Sequence, residues 1–171
     1  MKILITGTKG LAQELAFVYG DHDVTSVSLS TGHDILKIDE WGVDFLDYDL
    51  VFNCAYSGIG QQLVLEYFYH HWHFIPTKSI ITIGSKVITQ PRADANVSSY
   101  WPYRIHKQTL QNMHDTMWPA ASCDIKIVNP GAFDSAMVAH LNVPKLSLYE
   151  LAIRIKKIAD DPVIKRVDLW L

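Results

Sequence analysis

Three short stretches of this 171-residue chain carry side chains whose type and spacing suit chemistry. The first is Tyr103-Arg104-Ile105-His106-Lys107. Four residues make about one helical turn, so in a helix the phenol and the ammonium share a face. A cation held there favours phenolate over phenol and lowers the tyrosine toward working pH, which suits a group that exchanges protons. Such spacing is common on solvated helix faces, and Tyr100 with Arg104 repeats it; an arginine does not trade protons, so Tyr103 is the better choice. The second stretch, Ile80-Ile81-Thr82-Ile83-Gly84-Ser85, is an apolar run that ends on a hydroxyl. The third, Thr6-Gly7-Thr8-Lys9-Gly10-Leu11-Ala12, is a glycine turn between a strand-like and a helix-like segment. There a pyrophosphate can approach the backbone and rest on a helix N-terminus. Each of the last two also has a plain reading, as a cap and as a turn.

These groups meet only if the chain between them forms a parallel sheet covered by helices. Short β-branched runs alternate with helix-length periodic segments, which predicts an α/β, doubly wound parallel sheet of six to seven strands with helices on both faces. Strands are expected at Lys2 to Thr6, Asp23 to Leu29, Leu50 to Cys54, Ser79 to Gly84, Asp124 to Asn129 and Lys165 to Trp170, with a short extra strand near Asp34 to Ile38. The first helix follows Lys9 and ends at Gly20. Gln61 to Phe74 is apolar or aromatic nearly all round, which predicts a helix either deeply buried or shared with another subunit. Leu110, Met113 and Met117 form a stripe on the helix after Pro102, and Pro119 stops it. Ser147-Leu148-Tyr149-Glu150 reads as a capping box opening a last helix whose Leu148, Leu151, Ile155 and Ile158 face the sheet. The loop from Gln90 to Ser99 lies inside what is read as one domain over 1–171.

Composition narrows the classes. Hydrophobic residues make up 49% of the chain and charged residues 19%, the balance of a folded domain rather than a disordered one. The net charge is -3 and the basic residues are scattered, so nucleic acid is a poor partner. No apolar stretch reaches the roughly 18 residues a membrane span requires, and the N-terminal run is too short for a signal peptide, so a cytoplasmic protein without membrane contact is expected. Cys54 and Cys123 form no CxxC and read as small buried residues. In His70-His71-Trp72-His73 only His70 and His73 have helical ligand spacing, with no nearby acid, so no metal is assigned.

Taken in order, TGxxGxA at Thr6 to Ala12, Asn53-Cys54-Ala55, Ser85, YxxxK at Tyr103 to Lys107 and Pro130-Gly131 resemble the short-chain dehydrogenase/reductase superfamily, over Lys2 to about Ser135. The resemblance implies a single NAD(P)-binding Rossmann domain with a small substrate lid around 132–146. It implies that Gly7 and Gly10, within the turn that includes Thr8, Lys9 and Leu11, cradle a pyrophosphate, with Ala12 where a third glycine is common. Asn53 and Ala55 would support the central strand and touch the adenosine side. Ser85 would orient the substrate oxygen, Tyr103 would exchange the proton, and Lys107 would hold the nicotinamide ribose. Pro130 and Gly131 would shape the wall beside the nicotinamide. The family's helix asparagine has no clear counterpart; Gln61 or Gln62 stands nearest.

The implied activity is hydride transfer between a nicotinamide dinucleotide and a small carbonyl or alcohol substrate. NADP(H) is favoured over NAD(H), because the second strand ends at Ser30-Thr31 without an acid and Lys9 precedes Gly10. Asp34 is the counter-candidate, as a ribose acid or a partner of the adenine amino group. Two other functions stay open: a non-catalytic NADP(H) sensor and a reduced nucleotide-sugar epimerase or reductase. Tyr67, Phe68, Tyr69, Trp72 and Trp101 are too many large groups for two helices to hide, which points to a homodimer or a higher homo-oligomer.

Overall fold

A computed structural model describes residues 1–89, 101–134 and 144–169. Tyr100, the 90–99 loop, the middle of the expected lid and Trp170 lie outside the described residues.

Six parallel strands form one sheet: β1 (Lys2–Thr6), β2 (Asp23–Val27), β3 (Leu50–Asn53), β4 (Ser79–Ile83), β5 (Asp124–Pro130) and β6 (Arg166–Leu169). Their order across the sheet is β2-β1-β3-β4-β5-β6. The chain runs from β1 outward to β2 and returns to the other side of β1 as β3, so the winding direction reverses between β1 and β3. In open parallel sheets that reversal leaves a crevice beyond the carboxyl ends of the strands.

Successive side chains of a strand point to opposite faces, and both faces here are covered, so the central strands are apolar throughout. Ile3 and Ile5 face α1 (Leu11–Val18) and α4 (Leu148–Ala159). Leu4, Val51 and Ile80 face α2 (Gly60–Trp72) and α3 (Trp101–Met117). The Ser147 hydroxyl accepts the Glu150 N–H and caps α4, while the Glu150 carboxylate takes Arg154 at 2.6 Å.

The extra strand expected near Asp34 is not one. Ile35–Glu40 is 3-10 helix, opened by the Asp34 carboxylate accepting the Leu36 N–H at 3.0 Å, and a second short turn, Phe45–Asp47, is capped the same way by Asp44. Aspartate side chains that satisfy free N–H groups favour such turns over an edge strand. This β2–β3 connection contains no α-helix, and it lays Ile35, Ile38, Trp41 and Phe45 against the α2 side of the core.

That layer also corrects the reading of α2. Phe68 and Trp72 are fully buried within the domain, and Tyr67 meets Phe45 with ring centroids 4.7 Å apart. Glu66, His70 and His71 are exposed, so the helix is amphipathic rather than apolar all round. The aromatic excess that suggested a partner is thus largely absorbed within the domain, although Phe74 and Trp101 remain exposed. The His71 and His73 rings lie against the carbonyls of Tyr67 and Tyr69 one turn back. No described helix is long and apolar enough to cross a membrane.

Candidate active site

A cleft of about 410 Å³ opens over the carboxyl ends of β1, β3 and β4, at the reversal of the winding. Its floor on one side is the turn after β1. Gly7 has φ 110° and Gly10 has φ 59°, conformations that side chains strain to adopt. A Cβ on Gly7 would also stand 3.0 Å from the Ala12 Cβ. Thr6 ties the turn to β3: its Oγ1 accepts the N–H groups of Cys54 and Ala55 at 2.9 and 3.0 Å. Helix α1 starts without a side-chain cap, so its first-turn N–H groups are left to bind something else. An anion of pyrophosphate size and charge fits this cradle.

At the end of β2, hydroxyls gather. Thr8 Oγ1 donates to Ser28 Oγ at 3.2 Å, Ser28 and Ser30 share a hydrogen bond of 2.8 Å, and Thr31 Oγ1 lies 3.2 Å from His33 Nδ1. Lys9 is exposed at the lip of the cleft. Of the expected cofactor residues, Gly7, Lys9, Gly10, Leu11, Ala55 and Lys107 line the cleft itself. Thr8, Ser30, Thr31 and Asp34 stand outside that lining. Asn53 is fully buried and donates from Nδ2 to the Gln61 carbonyl at 2.8 Å, so its side chain ties the end of β3 to α2. Pro130 and Gly131 continue β5, where the Gly131 N–H is bound by the Leu169 carbonyl at 3.0 Å.

The residues expected to move protons, Ser85, Tyr103 and Lys107, stand near one another. The Tyr103 phenol stands close enough to the Ser85 side chain for that hydroxyl to pull its pKa down. Ser85 Oγ also accepts the Val87 N–H at 3.3 Å, which fixes the hydroxyl at the end of β4. One turn along α3, Lys107 Nζ lies 5.5 Å from the centroid of the Tyr103 ring. It donates to Gln61 Oε1 at 2.5 Å and to the Ile83 carbonyl at 2.7 Å. Gln61 Nε2 in turn donates to the carbonyls of Asn53 and Ile83 at 2.9 and 3.1 Å. One glutamine side chain therefore joins β3, β4 and the lysine.

Burial decides the protonation equilibria here. It brings Lys107 down to about 7 and pushes the Cys54 thiol up to about 12. It also raises the Tyr103 phenol, with the Ser85 hydroxyl pulling the other way. The expectation that Lys107 lowers the tyrosine is thus not met in the free chain. The ammonium is itself desolvated, and its hydrogen bonds go to Gln61 and Ile83.

The lysine leaves a signature that needs no ligand. Its value falls from about 10.4 unfolded to about 7 folded, so between those pH values the unfolded chain holds the extra proton. Stability from this group therefore rises with pH across that window and is flat below it. Urea melts of the wild type and Lys107→Met should show a stability difference that shifts in favour of the wild type from about pH 7.5 upward, approaching about 1.4 kcal/mol per pH unit. A pH-independent difference would contradict the assigned burial.

Sequence reasoning passed over several neighbours. Tyr56 lines the cleft, its ring meets that of Tyr103 at 4.9 Å, and its hydroxyl lies 3.0 Å from His106 Nδ1. Phe133 closes the far side and bridges to Leu146. Tyr56 directly follows Asn53-Cys54-Ala55, and reading that strand end one residue further would have found it.

No family model and no curated protein matches the sequence. Solved structures do match in three dimensions. A short-chain dehydrogenase/reductase from Vibrio parahaemolyticus aligns over 98% of both chains at 14% identity with a TM-score of 0.72. A short-chain dehydrogenase from Burkholderia cenocepacia, solved in complex with NADP, aligns over 100% of this chain and 90% of its own at 12% identity and a TM-score of 0.75. A 3-ketoacyl-(acyl-carrier-protein) reductase from Brucella melitensis, complexed with NADH, aligns over 98% and 96% at 16% identity and 0.74. With its six parallel strands, its glycine turn at the switch point and these neighbours, the chain has the fold of the short-chain dehydrogenase/reductase superfamily.

Proposed function

We propose that the chain is a nicotinamide-dinucleotide-dependent oxidoreductase that acts on a small carbonyl or alcohol, with NADP(H) preferred. The observation that carries this reading is that Tyr103 and Lys107, whose Nζ lies 5.5 Å from the centre of the phenol ring, line the same cleft as the Gly7–Gly10 cradle.

The bound nicotinamide would supply or accept the hydride. Gly7, Gly10 and the first turn of α1 would hold the pyrophosphate, and Lys107 would hold a ribose hydroxyl. An anionic dinucleotide near Lys107 favours its charged form, so binding and protonation of the lysine assist each other. Ser85 would hydrogen-bond the substrate oxygen as charge develops on it. Tyr103, kept protonated by burial, would give that oxygen its proton in carbonyl reduction and take one back in alcohol oxidation. Tyr56 and Phe133 would wall the substrate with apolar surface. A cytoplasmic location and association as a homodimer belong to the same proposal.

The cofactor preference rests on Lys9 and on the hydroxyls of Ser28, Ser30 and Thr31, which present donors and no carboxylate to a 2′-phosphate. Calorimetric titration at one ionic strength should give tighter binding of NADPH than of NADH. Lys9→Ala should weaken NADPH by about tenfold, the worth of one charge-assisted contact, and leave NADH nearly unchanged. Equal affinities in the wild type would remove the preference.

A further inference from the structure

Behind Ser85 lies a buried polar cluster that the proton-transfer reading does not use. Its centre is Asn129 on β5, which is 1% exposed. Asn129 Oδ1 accepts the Ser85 N–H at 3.1 Å. Its Nδ2 donates to Gln111 Oε1 on α3 at 2.8 Å and to Asp168 Oδ1 on β6 at 3.0 Å. The amide is thus engaged on both sides, with its acceptor toward the serine and both hydrogens committed elsewhere. The preceding glycine makes room for it: a Cβ on Gly84 would stand 1.9 Å from Asn129 Oδ1.

We propose that Asn129 is the positioning residue for Ser85, setting the serine by holding its backbone N–H, and that this role requires an amide. It rests on the reading of Ser85 as the group that binds the substrate oxygen. A carboxylate at position 129 would still accept from Ser85 but could give nothing to Gln111 or Asp168. It would also face the Asp168 carboxylate at hydrogen-bond distance, where repulsion between two ionised carboxylates raises the pH at which the pair takes up a proton. A proton shared between the two acids would restore one donor, so Asn129→Asp is expected to regain function as pH falls. The charged and titratable groups around this pair are Lys86, 3.7 Å from Asp168 Oδ2, Asp115, which accepts from Gln111 Nε2 and pairs with Arg166, His114 beside Asp115, and Tyr103 through Ser85.

The test compares Asn129→Ala, Asn129→Asp, the double variant Asn129→Asp/Asp168→Asn and Ser85→Ala, each assayed for NADPH-dependent carbonyl reduction, NADPH affinity and amide hydrogen exchange at Ser85. Asn129→Ala should speed Ser85 exchange and lower kcat by at least about tenfold with NADPH affinity unchanged, a split that general loosening would not give. If Asn129→Ala does not fold, Asn129→Asp decides. Its activity relative to wild type should climb from about pH 8 to about pH 5.5, and the double variant, which returns a donor at 168, should recover part of the loss without acid. Unchanged Ser85 exchange, or an Asn129→Asp to wild-type ratio that is flat with pH, overturns the inference. An active Ser85→Ala overturns the reading of the serine instead, and leaves the exchange result to judge Asn129 by itself.

Discussion

Replacing Tyr103 by phenylalanine is expected to lower turnover by about 10³-fold or more while leaving dinucleotide affinity within about twofold, because the change deletes the transferable proton and keeps the ring. The ring is what touches Tyr56, and it stands in the cleft whatever the hydroxyl does. Lys107→Ala should differ in kind. It removes the ammonium that would bind the ribose and leaves Gln61 Oε1 and the Ile83 carbonyl without their donor, so affinity and turnover should fall together. Tyr149, exposed on α4, gives a Phe control that should be silent. A screen of carbonyl compounds against NADPH absorbance supplies the assay. Wild-type turnover in Tyr103→Phe on any accepted substrate would refute the assigned proton donor.

Lys126→Met should cost about 3–5 kcal/mol, a shift of roughly 10 °C in Tm for a chain of this size. Lys126 sits in the middle of β5 at 1% exposure, an unusual place for a charge. Its Nζ donates to the carbonyls of Ile158, Ala159 and Asp161 at 2.9, 2.7 and 2.6 Å and lies 2.9 Å from Asp124 Oδ2. Those carbonyls belong to the end of α4, where unsatisfied oxygens and the helix dipole attract a cation. Methionine keeps the stem and the volume but leaves three carbonyls without their donor, while Asp124 keeps Lys165. Denaturant melts measure the loss, and a change under about 1 kcal/mol would show that the lysine is incidental.

The elements legible in the sequence were those with strong periodicity or a local cap. β1 has the expected bounds, and Ser147 opens α4 as its capping pattern requires. The β2–β3 connection was misread because Ile35, Leu36 and Ile38 look like strand in isolation; the side chains of Asp34 and Asp44 decide for tight turns. Of the candidate site, Gly7, Gly10, Ser85, Tyr103 and Lys107 could be proposed because each belongs to a short motif with a mechanical reason for its spacing. Gln61 could be named only as one of two stand-ins for a missing asparagine, and Tyr56 and Asn129 not at all, because their tertiary contacts cross about 20 to 50 positions of chain and no local pattern encodes those. The same limit explains the protonation states. YxxxK shows that Lys107 and Tyr103 share a face, but only the packing shows that the lysine is desolvated and held by Gln61.

The central claim, that this cleft holds a nicotinamide dinucleotide with its reactive ring at Tyr103, is tested most directly by a crystal structure of the chain soaked with NADP⁺ and a small alcohol. The expected result places the pyrophosphate on the Gly7–Gly10 turn and a ribose hydroxyl on Lys107 Nζ. The alcohol oxygen should lie within hydrogen-bond reach of both Tyr103 Oη and Ser85 Oγ, with its carbon about 3.5 Å from the nicotinamide. A dinucleotide bound with its nicotinamide away from Tyr103, or no dinucleotide in the cleft at all, would contradict it.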